Sequence, residues 1–164
     1  MVQMKVWKLI LDGRTDTPVV ILQELEGKRV LPIWIGKAEA RAIAMELAKE
    51  KFQRPLTHDL MKTLIDALGG KVRKVTIGDL KDNTFFAQLF LDKDDEIISI
   101  DARPSDSIAL ALRTRSAIFV AESLLQDEPE EKELSDDERA EALRKYLDKL
   151  DPEDFGTFPG KGKT

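Results

Sequence analysis

The 164-residue sequence predicts an α+β protein with largely antiparallel strands, built as two β3α2 units. Two observations predict it. Strand-like runs come in threes joined by short turns, which sets neighbours antiparallel, and helical sequence follows each triplet. The second observation is an echo at an offset of 65 residues. Ile33 falls on Ile98, Ile35 on Ile100, Ile43-Ala44 on Ile108-Ala109, Met45 on Leu110 and Leu47 on Leu112; Gln23 and Gln88 also coincide, as do Leu60 and Leu125. Two similar units would produce this match.

Residues 4–12, MKVWKLILD, read as the first strand, and Gly13-Arg-Thr-Asp-Thr-Pro as a turn. Residues 19–25, VVILQEL, make the second strand, and Glu26-Gly27 a tight hairpin turn. Residues 29–35 make the third, where Pro32 argues for a sheet edge or a bulge. Gly36 opens a helix over 37–50 that is apolar on more than one side, the mark of a helix buried against a sheet or a partner. Pro55 ends that segment and Thr57 suits the N-cap of the next helix, whose Leu60, Leu64 and Leu68 form an apolar stripe. Gly69-Gly70 ends it.

The second unit begins with strands at 72–77, 84–91 and 96–101, joined by turns at Asp82-Asn83 and 92–95. The stretch IISIDARPSDSIALALR, residues 97–113, then passes from strand to helix. Pro104 suits the first helical position, where its missing N–H removes no hydrogen bond. Ser105 and Asp106 fall in the first turn, where free N–H groups and the helix dipole favour oxygens and negative charge. Asp101, at the strand end, is close enough in sequence to reach the same N–H groups. A short strand or turn at 117–121 and a brief helix at 122–126 follow.

The bulk numbers bound the class. Hydrophobic residues are 42% and charged residues 35%, with no cysteine and a net charge of −5. The length suits one domain of ordinary size, 1–126, with repeats of roughly 4–68 and 70–126. Disulfides and thiolate zinc sites are excluded. The N-terminus lacks signal-peptide character, and no run approaches the ~20 apolar residues of a membrane span. A cytoplasmic, bacterial-type protein with no membrane association is expected, and the charge-rich composition, with Asn83 its one asparagine, leans towards a thermophile. Residues 1–126 carry 19 Lys+Arg against 18 Asp+Glu, whereas 127–164 carry 7 against 13, so the acidity belongs to the tail. The near-neutral body lacks the strong field of a dedicated DNA binder. Residues 127–135 read as an acidic linker, 136–151 as a charged amphipathic helix docking through Leu143, Leu147 and Leu150, and 152–164 as a flexible tail. The apolar helices around 38–48 and 106–112 predict a homodimer, because a chain this size has limited interior to hide both.

Candidate chemistry is carboxylate-based. His58 is the single histidine, there is no Gly-x-Ser-x-Gly elbow, no P-loop and no Gly-x-Gly-x-x-Gly. Glu39, Glu46, Asp59, Asp101 and Asp106 are the acids worth weighing. Glu39 and Glu46 share a helix face, which is more often simply the solvated edge. His58-Asp59 at a helix start would supply a base or a metal-ligand pair, though a histidine there is more often a capping or hydrogen-bonded residue. Oxygen ligands with one imidazole would suit Mg²⁺ or Mn²⁺. Asp101 and Arg103 also have a bland reading, as braces of the turn.

Three segments, Arg29-Val-Leu-Pro-Ile-Trp-Ile-Gly, Arg54-Pro-Leu-Thr-His-Asp-Leu and Asp101-Ala-Arg-Pro-Ser-Asp-Ser-Ile-Ala-Leu-Ala-Leu-Arg, resemble in order and spacing the bifunctional nuclease family. The resemblance covers about residues 3–126, and the DPEDF run at 151–155 resembles bacterial members. It implies a duplicated β3α2 fold with a barrel-like sheet, and cleavage of RNA and DNA with little base specificity. Plant members add a C-terminal helical hairpin motif, for which the acidic tail here is a poor substitute. The matching charged positions are Arg54, His58, Asp59, Asp101, Arg103 and Asp106. One expectation is a metal-dependent nuclease. His58, Asp59, Asp101 and Asp106 would be catalytic; Asp59, Asp101 and Asp106 would hold Mg²⁺ or Mn²⁺; Arg54 and Arg103 would grip phosphate. The alternative is a non-catalytic, anion- or partner-binding regulatory protein. Convergence of Asp59, Asp101 and Asp106 on one cleft favours the first; separate pairing in salt bridges or caps favours the second.

Overall fold

The structure, a computed structural model, describes residues 1–127 and 137. The expected linker at 127–135, helix at 136–151 and tail at 152–164 therefore lie outside the described residues, Asp127 and Asp137 apart. The chain order is β1 (Val2–Asp12), β2 (Thr17–Glu24), β3 (Val30–Trp34), α1 (Lys37–Leu47), α2 (Thr57–Ala67), β4 (Lys71–Lys81), β5 (Thr84–Lys93), β6 (Glu96–Ala102), α3 (Pro104–Thr114), β7 (Ala117–Val120) and a 3-10 turn at Glu122–Leu124. This is a mixed α+β fold. One seven-stranded sheet has the order β3-β2-β1-β7-β4-β5-β6. All pairings are antiparallel except β4 with β7, which is parallel. The sheet does not close, since β3 and β6 are its two edges.

Local chemistry explains the elements. Asp82-Asn83 and Asp94-Asp95 both have positive φ at each position, as a two-residue hairpin whose twist matches its strands requires. The β2–β3 connection is wider than a two-residue turn. There Arg29 donates to Glu24 at 2.7 Å and to Glu122 at 2.9 Å, tying the loop to the 3-10 turn. Pro32 sits on the edge strand β3, where a missing donor breaks no ladder. The start of that edge is covered: Val30 and Gln126 exchange backbone hydrogen bonds at 2.7 and 2.9 Å.

The helices pack on one face of the sheet. Their core joins Val20, Leu22, Leu31 and Ile33 to Ile43 and Ala44 of α1, to Val75 and Ile77 of β4, and to Ile108–Ala111 of α3. The two apolar helices are thus hidden within one chain. Helix α3 lies between α1 and α2 over β4 and β5, so its apolar faces need no second copy, and the reason given above for a dimer does not hold. The expected leucine stripe also turns outward: Leu60, Leu64 and Leu68 are 48%, 52% and 71% exposed. Helix α2 instead packs through Met61, Ile65 and the buried His58. Thr57 is not its N-cap. That position is Leu56, whose backbone N–H donates to Asp59 Oδ2 at 3.0 Å.

Candidate functional site

The first turns of α2 and α3 meet. Arg103 caps α3 in extended conformation, with Pro104 at the first helical position and Asp106 in the first turn, as the sequence pattern predicts. Asp106 Oδ1 lies 2.9 Å from His58 Nε2, and Arg103 Nε donates to Asp106 Oδ2 at 2.8 Å. Arg103 Nη1 is 2.9 Å from Glu39 Oε1 on α1. A chain of charge, Glu39–Arg103–Asp106–His58, therefore links the starts of all three helices. His58 is buried, whereas the Arg103 side chain is 65% exposed. Burial pushes the Asp106 carboxyl up, but hydrogen bonds from Arg103 and His58 outweigh it and hold the group below the ordinary carboxylate range. The same Asp106 hydrogen bond, and then its charge, push the Arg103 guanidinium up.

Asp59 belongs to a different cluster. Its Oδ1 accepts from Arg113 Nε at 2.7 Å, and its Oδ2 accepts the α2 cap N–H. Arg113 also donates to Ala109 O at 2.8 Å and Ala42 O at 3.0 Å. With its side chain only 4% exposed, Arg113 pins α1, α2 and α3 together. Sequence reasoning did not single it out. The available signal was a cation in the last turn of an otherwise apolar helix.

Asp101 is not at this site. It is opposite Gln88 in the β5–β6 register, and partners in register share a face. Leu89, one residue on, is in the helix-side core, so Gln88 and Asp101 point to the face the helices leave bare. The expected reach of Asp101 to the α3 N–H groups fails for this reason. Asp59, Asp101 and Asp106 do not converge. Among the described residues no group of three His, Cys, Asp or Glu lies where it would hold a metal ion. The four carboxylate oxygens of Asp59 and Asp106 already have donors, so the trio does not fit as a cage for Mg²⁺ or Mn²⁺. Arg54 is exposed in the loop before α2, and Glu46 is half-buried on α1.

The fold and site define a mixed α+β domain with a polar cluster where its helices begin. The chain belongs to the bifunctional nuclease domain family, whose model matches residues 20–133. It is 42% identical over 149 residues to an uncharacterized protein of Mycobacterium tuberculosis, covering 85% of this chain and 89% of that one. It is 31% identical over 107 residues to bifunctional nuclease 1 of Arabidopsis thaliana, covering 63% of this chain and 33% of the plant protein. With bifunctional nuclease 2 of Oryza sativa subsp. japonica the identity is 31% over 111 residues, covering 65% and 34%. The match thus spans about a third of each plant relative. No helix among the described residues is long and apolar enough to cross a membrane.

Proposed function

We propose that this protein is a nuclease that cleaves phosphodiesters of RNA and DNA with little sequence preference, acting where α2 and α3 begin. The observation that carries the reading, beside family membership, is the Arg103–Asp106–His58 chain at a helix N-terminus. An exposed guanidinium at the positive end of a helix dipole suits a phosphate oxygen. Asp106, held in its ionised form and hydrogen-bonded to His58 Nε2, orients the imidazole and leaves Nδ1 as the ring nitrogen outside that contact. Glu39 holds Arg103 from the α1 side. Asp59 takes a bracing role through Arg113. Arg54, exposed beside the start of α2, is a second phosphate contact. Of the acids expected to hold a metal, Asp59 and Asp106 are already paired and Asp101 lies on the other face of the sheet, so Mg²⁺ and Mn²⁺ enter as variables of the test. We further propose that the 65-residue echo records an internal duplication, with domain boundaries as read above. The echo should recur at the same offset in relatives' sequences.

The test is cleavage of end-labelled RNA and DNA oligonucleotides by purified protein, with Mg²⁺ and Mn²⁺ titrated separately. Asp106→Asn should lower the rate by about a hundred-fold or more, the range for losing acid–base help, with the fold checked by circular dichroism. The pairing of Asp59 and Asp106 in salt bridges favours a second reading, a non-catalytic anion- or partner-binding regulator. Binding of nucleic acid without cleavage at any metal concentration makes that second reading the right one.

A further inference from the structure

The sheet face opposite the helices bears aromatic rings with lysines laid over them. Lys74 Nζ is 5.1 Å from the Phe90 ring centroid and 5.7 Å from that of Phe119, on the adjacent strands β4, β5 and β7. Lys81 Nζ is 5.8 Å from the Phe86 ring, and Lys8 Nζ is 4.2 Å from the Trp7 ring. The register puts all of them on this face. Lys74 faces Phe90 across β4–β5, and Thr76 faces both Gln88 and Phe119, while the residues between them, Val75, Ile77 and Ile118, are helix-side core. Lys8 is opposite Ile21, which belongs to a separate small cluster with Val19, Val30 and Trp7. No helix among the described residues packs over the Lys74–Phe90–Phe119 group.

We propose that this face is a single-stranded nucleic-acid platform, on which bases stack against Phe86, Phe90 and Phe119 while Lys74, Lys81 and Lys8 contact phosphates. This rests on the nuclease reading for its ligand and adds where the strand lies. Every base offers a π-face, so aromatic platforms bind with little sequence preference. Aromatic residues on neighbouring strands of an open sheet stack two or three bases in sheet-based RNA modules. The strip from β1 to β5 spans three strand spacings, about 14 Å. Acids on the same face limit the field: Asp79 beside Phe86, Asp92 bound to Arg73, and Asp101. With those acids present, stacking must supply most of the affinity, and the lysines lying over the rings must swing aside to admit bases and meet phosphates. Binding should then favour single strands over duplex, whose bases are already stacked, and should depend only modestly on salt. The face ends at Asp101, two residues before Arg103, so a strand lying on it would leave at the α3 end of β6.

The experiment is fluorescence anisotropy of the full chain with a labelled oligothymidylate of about ten nucleotides, within the usual site size, and with a duplex of equal length. EDTA is included to hold off metal-dependent cleavage. Wild type should bind the single strand at least about ten-fold tighter than the duplex. The Phe86→Ala and Phe90→Ala pair should weaken single-strand binding by about ten-fold or more, the size of one or two lost stacks. As a second route that leaves the rings in place, Lys74→Glu with Lys81→Glu should weaken binding and flatten its salt dependence. Single-strand binding that both double variants leave at wild-type strength overturns the platform, while the nuclease reading stands or falls on its own cleavage assay. Preference for duplex, or no binding of either probe, also overturns it, and cleavage by the same wild-type preparation in the metal-titrated assay, without EDTA, would then show that the nuclease reading survives without this face.

Discussion

Arg113 ties three helices together, because its guanidinium meets polar groups on α1, α2 and α3. Its guanidinium satisfies Asp59 and two backbone carbonyls, one of them on α1. Removing one partner of a buried pair strands the other charge and typically destabilises by about 3–5 kcal/mol. The Asp59 side chain is 36% exposed, so solvent relieves part of that. Arg113→Ala should therefore destabilise by about 2–4 kcal/mol in urea unfolding, and Arg113→Lys, which lacks the planar fork, should recover less than half. Acid should act through Asp12 and Asp106. Asp12 falls from 3.8 to about 2, first through the Arg14 backbone N–H and then the Trp34 indole, and Asp106 is lowered too. A group depressed on folding stabilises above its unfolded pKa and loses that contribution as pH falls through the folded value. The thermal midpoint should thus be insensitive to these two groups near neutrality and drop as pH falls below 3.8. In Asp106→Asn that drop should be shallower, read by circular dichroism across the acid range.

At the scale of elements, a hydrophobic period shows that a helix has an apolar stripe but not which neighbour meets it. Leu60 and Leu64 of α2 and Leu68 at its C-cap follow helical spacing and stay in solvent, while on the neighbouring side of the helix His58, Met61 and Ile65 face α3 and the sheet. Leu64→Gln should accordingly change stability by no more than about 0.5 kcal/mol. Ile108→Ala, at a fully buried position of α3, should lose about 2–5 kcal/mol. Chemical denaturation of both variants checks the assignment. The sheet edges differ in the same concrete way. Edge β3 has Pro32 and the Gln126 bridge, whereas β6 leaves Ile97, Ile98 and Ile100 exposed at 58%, 40% and 40%.

Over the whole molecule, that bare edge replaces the helices as the reason to expect a homodimer. A long, flat, apolar edge strand is a template for another strand. Light scattering should give about twice the 18.5 kDa of one chain, and Ile98→Lys should return the monomer; a monomeric mass for wild type at micromolar concentration ends the idea. Charge also acts at this scale. Residues 127–164 carry 7 basic against 13 acidic side chains, and like charge should oppose nucleic acid on the body. Deleting them should tighten binding more at low salt than at high salt, since screening shortens the reach of charge. Equal affinity with and without the tail at both salts would remove the effect.

By itself the sequence determined the elements and their kinds. Period, turn residues and prolines are local, and local chemistry placed three strands before each helical stretch, put Pro32 on an edge and began α3 at Pro104. It also brought His58, Arg103 and Asp106 under suspicion, and the structure places those three in one cluster. Tertiary structure alone decided which side of the sheet each charged residue serves. Asp101 and Asp106 are five positions apart, yet strand alternation and helix direction send them to opposite faces. Nothing in residue order reveals that parity until the register with Gln88 is known. The same holds for Asp59, whose partner Arg113 lies on another helix, and for the rings of β1, β5 and β7 with the lysines of β1 and β4, which become one surface only when β7 inserts between β1 and β4.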